Sequence, residues 1–151
     1  LDDPNYENRE YQKWPAYGQS KTANILFAVG LEKRLAPHGI HSTALHPGGI
    51  MTNLGRHMTQ EDIDWMMGRF KAEGGDGPKM KTIPQGAATT CYAATADELA
   101  DKGGVYLEDC HIAPVDDHDK DGGVRSYAVD PDSAEQLWTL SEEMVGESFS
   151  Y

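Results

Sequence analysis

Only two stretches of this chain, Ile40 to His46 and Val105 to Leu107, have the makings of β-strands; the rest reads as helix or loop. Ser42, Ala44 and His46 alternate with His41, Thr43 and Leu45, and the small and β-branched content favours a short strand. Along the chain the order is helix, strand, helix, helix, strand, helix. Strands separated by crossover helices are expected to lie parallel. A two-stranded parallel sheet does not stand alone, because parallel sheets occur with both faces covered. A doubly wound sheet of six strands takes roughly 30 residues per strand–helix repeat, or about 180 in all. With 151 residues, the chain is expected to be one incomplete α/β domain over 1–151, the C-terminal portion of a doubly wound parallel sheet.

The helices follow from composition and punctuation. Residues 1–13 are polar, with Pro4 and Asn5 marking a turn, and read as a surface loop. Pro15 suits a first helical turn, where its missing N–H costs nothing. A helix is then expected from Ala16 to Ala36, stopped by Pro37 and Gly39. Ile25, Leu26, Phe27, Ala28 and Val29 are consecutive and apolar, so they occupy every side of it and call for burial on more than one face. Met51 to Met58 is loop-like. Thr59 with Glu61 and Asp62 starts a second helix, in which Ile63, Met66, Met67 and Phe70 form an apolar face. Gly74, Gly75, Gly77 and Pro78 break it. Pro84 opens a small-residue helix, Gln85 to Ala96; Asp109 to Asp130 reads as acidic and irregular; Pro131 to Val145 reads as a C-terminal helix.

Charge narrows the partners. Thirteen Lys+Arg stand against 25 Asp+Glu, a net charge of −12. That balance disfavours a nucleic-acid backbone and an anionic membrane surface alike. The longest apolar run, Ile25 to Val29, is far shorter than the ~18 residues of a membrane span. No basic segment precedes an apolar one at the start, as a secretory leader requires. The first residue is Leu, which fits a processed chain or a piece of something longer. Cys91 and Cys110 form no CxxC pair and are too few for a disulfide scaffold. A soluble cytoplasmic protein is expected.

Chemistry concentrates in two places. Tyr17-Gly18-Gln19-Ser20-Lys21 sits on the first helix, and its i to i+4 spacing puts phenol and ammonium on one face, a turn apart. A cation beside a phenol favours the phenolate, and such a phenol can pass a proton to or from a carbonyl or alcohol oxygen. The first strand then ends in His46-Pro47-Gly48-Gly49-Ile50-Met51-Thr52. Glycines at the C-terminal end of a parallel strand let the backbone come close to a flat ligand, at the end where open α/β sheets bind ligands.

Together these segments resemble the short-chain dehydrogenase/reductase family, whose catalytic Tyr-x-x-x-Lys helix is followed by a strand and a P-G-x-V/I-x-T loop. Trp14-Pro15-Ala16-Tyr17-Gly18-Gln19-Ser20-Lys21 with Ala23-Asn24, and Tyr106-Leu107-Glu108-Asp109-Cys110, are most similar to the retinol-dehydrogenase-like and WW-domain-oxidoreductase-like branch. The resemblance implies a Rossmann-like fold, NAD or NADP as cofactor, and interconversion of a small apolar alcohol and its carbonyl. It implies Tyr17 as proton donor and acceptor, Lys21 as its electrostatic partner and a ligand of the nicotinamide ribose, and Pro47, Gly48, Gly49, Ile50 and Thr52 as the nicotinamide cradle. Asn53 to Lys81 falls where the family has its substrate lid, and Met58, Trp65, Met66, Met67 and Phe70 suit an apolar substrate or plain core packing. It also implies a homo-oligomer paired through helix 16–36.

The family's glycine-rich dinucleotide turn is not among these residues, since Gly74-Gly75-Asp76-Gly77 lacks both the spacing and a preceding strand. Residues 1–16 hold no serine for the family's carbonyl-polarising Ser, and its Asn is missing too. The N-terminal dinucleotide-binding half is therefore expected to be absent and the fragment alone inactive. The alternative is a truncated or pseudo-enzyme chain acting as a non-catalytic interaction module.

Other candidates weigh less. Asp117-His118-Asp119-Lys120-Asp121-Gly122 matches the opening of a calcium loop, but its twelfth position is Ala128 rather than Glu. No zinc spacing is present, and no metal site is expected. His41 and His46 fall on opposite faces of a strand. Cys110 is expected to be a packed thiol, with no basic neighbour or helix start to activate it.

Overall fold

The computed structural model describes residues 2–72, 80–118 and 122–151, the side chains of 54 and 69–72 excepted. Helix α1 spans Lys13–Leu35, α2 Gln60–Ala72, α3 Ile83–Thr95 and α4 Pro131–Val145. Strands β1 (Ala44–His46) and β2 (Tyr106–Glu108) pair in parallel, with Ala44 opposite Tyr106 and His46 opposite Glu108. The parallel pair joined across helices is thus as expected.

The sheet as a whole is not. A third strand, β3 (His111–Ile112), pairs antiparallel with β2, so the described sheet is small and mixed, in the order β1-β2-β3. The stretch expected to be irregular contains it because Asp109 and Cys110 both adopt positive φ (45° and 59°) and reverse the chain in two residues. A turn of that kind is signalled in sequence by Asn-Gly or Asp-Gly. Asp-Cys is a poor advertisement for it.

Helix α1 begins before Ala16, since Pro15 fits anywhere in a first turn whose N–H groups have no intrahelical partner. Leu26, Ala28 and Gly30 in it are fully buried, and Leu26 and Ala28 stand about 200° apart around the helix, so burial falls on more than one face as expected. The helix packs on α4 and on β1. Gly30 lets Trp138 close in, as a Cβ there would lie 3.3 Å from the indole. Phe27 stacks on the same ring at 5.5 Å, and Arg34 covers it at 4.0 Å while pairing with Glu135 at 2.7 Å. Phe27 keeps nearly half its surface exposed. Helix α4 has the boundaries the sequence predicts, set by the Asp130 carboxylate accepting the Ser133 N–H (2.8 Å) and by Gly146 at φ +70°.

The tie that orients α1 against the sheet is Glu32. After Leu35 the chain turns through Ala36–His38 and Gly39 (φ +72°) and runs back past Glu32. The Glu32 carboxylate accepts the Ser42 N–H (2.9 Å) and meets His41 Nδ1 (2.8 Å). It also occupies the space where a side chain at Gly103 would have to go. One carboxylate therefore joins the end of α1 to the approaches of both parallel strands and sets α1 antiparallel to β1. Gly103→Ala would drive the Glu32 carboxylate off these partners. We expect it to cost about 1–3 kcal/mol in urea unfolding, and less in a Glu32→Ala background, where the obstructed group is gone.

Candidate active site

Tyr17 and Lys21 lie on the exposed side of the first turns of α1. The Lys21 ammonium stands 5.2 Å from the centre of the Tyr17 ring, so the i to i+4 spacing does bring the two together. Tyr17 keeps about half its surface open to solvent (54%). Trp14 meets its edge at 6.4 Å. Tyr106 on β2 has its phenol pushed up, first by burial and then by the charges of Glu108 and Tyr17.

The second group of residues lies in the loop after β1. Gly48 has φ +87° and its amide donates to His46 Nδ1 (3.2 Å). Gly49 and Thr52 are exposed, and Pro47 and Ile50 are partly buried.

The glycines also make room for the chain's own side chains: a Cβ on Gly48 would meet the Lys81 side chain at 2.7 Å, and one on Gly49 would meet Met80 Sδ at 3.3 Å. The loop keeps an exposed surface at Gly49 and Thr52, compatible with the approach of a flat group such as a nicotinamide.

Helix α2, where the lid was expected, docks on the start of α1. Trp65 stacks on Trp14 at 4.8 Å with planes 5° apart, and Lys13 pairs with Asp62 at 2.5 Å. Thr59 and Asp62 bond reciprocally, side chain to N–H (2.9 and 3.3 Å), which confirms the helix start read from their spacing. Sequence pattern could not couple Trp14 to Trp65, because nothing local relates them. Met66 and Met67 are partly buried; the side chain of Phe70 lies outside the described residues.

A groove of 890 Å³ lies along α1 between the N-terminal stretch and α4, lined by Ala16, Gly18, Ser20, Leu26, Leu140 and Met144. It includes neither Tyr17 nor Lys21 and is not their substrate site. Cys110 is exposed rather than packed, although its N–H donates to Thr89 Oγ1 (3.3 Å) and its Sγ lies 3.9 Å from the same oxygen. Asp119 to Asp121 of the calcium-like segment lie outside the described residues. Among the described residues no group of three or more His, Cys, Asp or Glu is placed to hold a metal ion, and no helix is long and apolar enough to cross a membrane.

No protein-family profile matches the chain. Individual relatives do. A short-chain dehydrogenase/reductase, prx1, of Penicillium roqueforti is 42% identical over 148 residues, covering 96% of this chain and 42% of its own length. A probable oxidoreductase of Streptomyces lividans is 42% identical over 149 residues, 96% of this chain and 50% of its own. A WW domain-containing oxidoreductase of Danio rerio is 36% identical over 140 residues, 92% of this chain and 30% of its own. The chain is thus a homologue of short-chain dehydrogenase/reductases over nearly all its residues, consistent with the C-terminal part of such a protein. It spans half or less of the length of these relatives.

The attachment of α2 to α1 is sensitive to acid. The Lys13 ammonium, with the Thr59 N–H, holds the Asp62 carboxyl down at about 2, against an ordinary 3.8. A carboxyl depressed on folding stabilises above its unfolded value and stops doing so as pH falls through its folded one. The Trp14–Trp65 stack should persist above pH 4 and weaken between about pH 4 and 2. Near-UV circular dichroism should follow that loss, and Asp62→Asn should already lack the stack's signal at neutral pH.

Proposed function

We propose that this chain carries the catalytic part of a nicotinamide-dependent oxidoreductase that interconverts a small apolar alcohol and its carbonyl. The observation behind this reading is the Lys21 ammonium held 5.2 Å from the centre of the Tyr17 ring on α1. NAD or NADP, when bound, supplies or accepts the hydride at the carbonyl carbon. The matching proton is the work of Tyr17. In reduction its hydroxyl donates to the carbonyl oxygen; in oxidation the phenolate takes the proton from the alcohol. Lys21 stabilises the negative charge left on the phenol oxygen and is placed to reach the nicotinamide ribose. Pro47, Gly48, Gly49, Ile50 and Thr52 line the nicotinamide, with the Ile50 backbone and Thr52 at its carboxamide.

The dinucleotide turn and the carbonyl-polarising Ser and Asn are supplied from outside these 151 residues, so the segment alone is inactive and the enzyme is the longer protein that contains it. Its relatives' greater lengths and names support that reading. A cytoplasmic setting and pairing with a second copy through helix 16–36 complete it.

Tyr17→Phe in the enzyme containing this chain should lower kcat about 10²–10⁴-fold, the size of a lost proton transfer. Dinucleotide affinity, followed by fluorescence titration, should stay within about twofold. Turnover near that of the parent would overturn the proposal and favour a non-catalytic interaction module.

A further inference from the structure

Lys81 is not part of the Tyr-Lys pair or of the glycine loop, yet it touches every piece that fixes that loop. Its N–H donates to the Gly49 carbonyl (2.8 Å), the contact that makes Ile50 and Lys81 an isolated parallel bridge. Its stem lies over Gly48, close enough that any side chain there would strike it at 2.7–2.8 Å. Its ammonium pairs with Asp109, whose carboxyl it holds below the ordinary range.

Asp109 is itself held in place. It forms the β2–β3 turn with Cys110, both at positive φ, a conformation that non-glycine residues keep only where the surroundings impose it. The Cys110 N–H is tied to Thr89, a fully buried residue of α3. Helix α3 also receives Ile50, which fills the space beside Gly86. At its start, the Thr82–Gln85 capping box fixes the backbone immediately after Lys81. The loop after β1 and the turn after β2 are thus separate in sequence and fastened to one helix, and Lys81 bridges them.

We infer that Lys81 is a positioning residue for the cofactor: by clasping Gly48–Gly49 to Asp109 it holds the loop in the one shape that receives the nicotinamide. This rests on the function proposed above. An exposed ion pair contributes little to global stability. The clasp acts instead on the freedom of one loop. Loosening that loop weakens dinucleotide binding equally in ground and transition state, which raises KM and spares kcat.

The test is Lys81→Met, which keeps the stem and removes the charge, together with Asp109→Asn and the double variant, all in the enzyme containing this chain. Each single variant should raise KM and the directly titrated dissociation constant for the dinucleotide about 3–10-fold. KM for the alcohol and kcat should move less than about twofold, and the double variant should match the singles because both break one contact. Hydrogen exchange at the Lys81 amide should quicken in all three, with no dinucleotide present. Unchanged dinucleotide affinity in both singles, beside a parent that turns over and a Tyr17→Phe variant that does not, overturns the clasp and leaves the function standing. A parent that binds no dinucleotide overturns both. Exchange unchanged throughout overturns the clasp independently of any activity.

Discussion

The carboxylate of Glu32 governs this structure. It turns a long helix back upon the sheet by accepting the Ser42 N–H and meeting His41, while filling the space left by Gly103. A buried or half-buried carboxylate is costly unless its oxygens are paired. Glu32 finds that pairing between the end of α1 and the approaches of β1 and β2.

Helix α3 does for the other side of the site what Glu32 does for α1. It has no catalytic candidate of its own, but Gly86 admits Ile50 and Thr89 holds the turn at Cys110. The Tyr17–Lys21 pair is carried on a long regular helix, and the loop after β1 on ties to α3. Among the described residues, helix α2 is tied to the start of α1 by the Lys13–Asp62 ion pair and the Trp14–Trp65 stack.

Much of this was legible beforehand because it is local. The Tyr17–Lys21 contact follows from helical spacing, α4 from Asp130, Pro131 and Gly146, the start of α2 from Thr59 and Asp62, and the parallel β1–β2 pair from the alternation of helix and strand. The hairpin to β3 was not, since Asp109-Cys110 carries no glycine, and a left-handed residue without one is paid for by distant contacts. The side chains that lie against Gly48 and Gly49 were hidden for the same cause. Glycine in a loop says that space is short, but not which neighbour takes it, and Lys81 lies far along the chain.

The residues alone determined the Tyr17–Lys21 contact and the bounds of α4, because each depends on neighbours within a turn or two. Tertiary structure decided which face of α1 is covered, where the lid rests, what fills the glycine spaces and how the loop is held. Those depend on contacts such as Glu32 with Ser42, Trp14 with Trp65 and Lys81 with Asp109, whose partners are named only by packing. Periodicity reports that a side chain must be buried or paired; the folded chain alone supplies the surface that meets it.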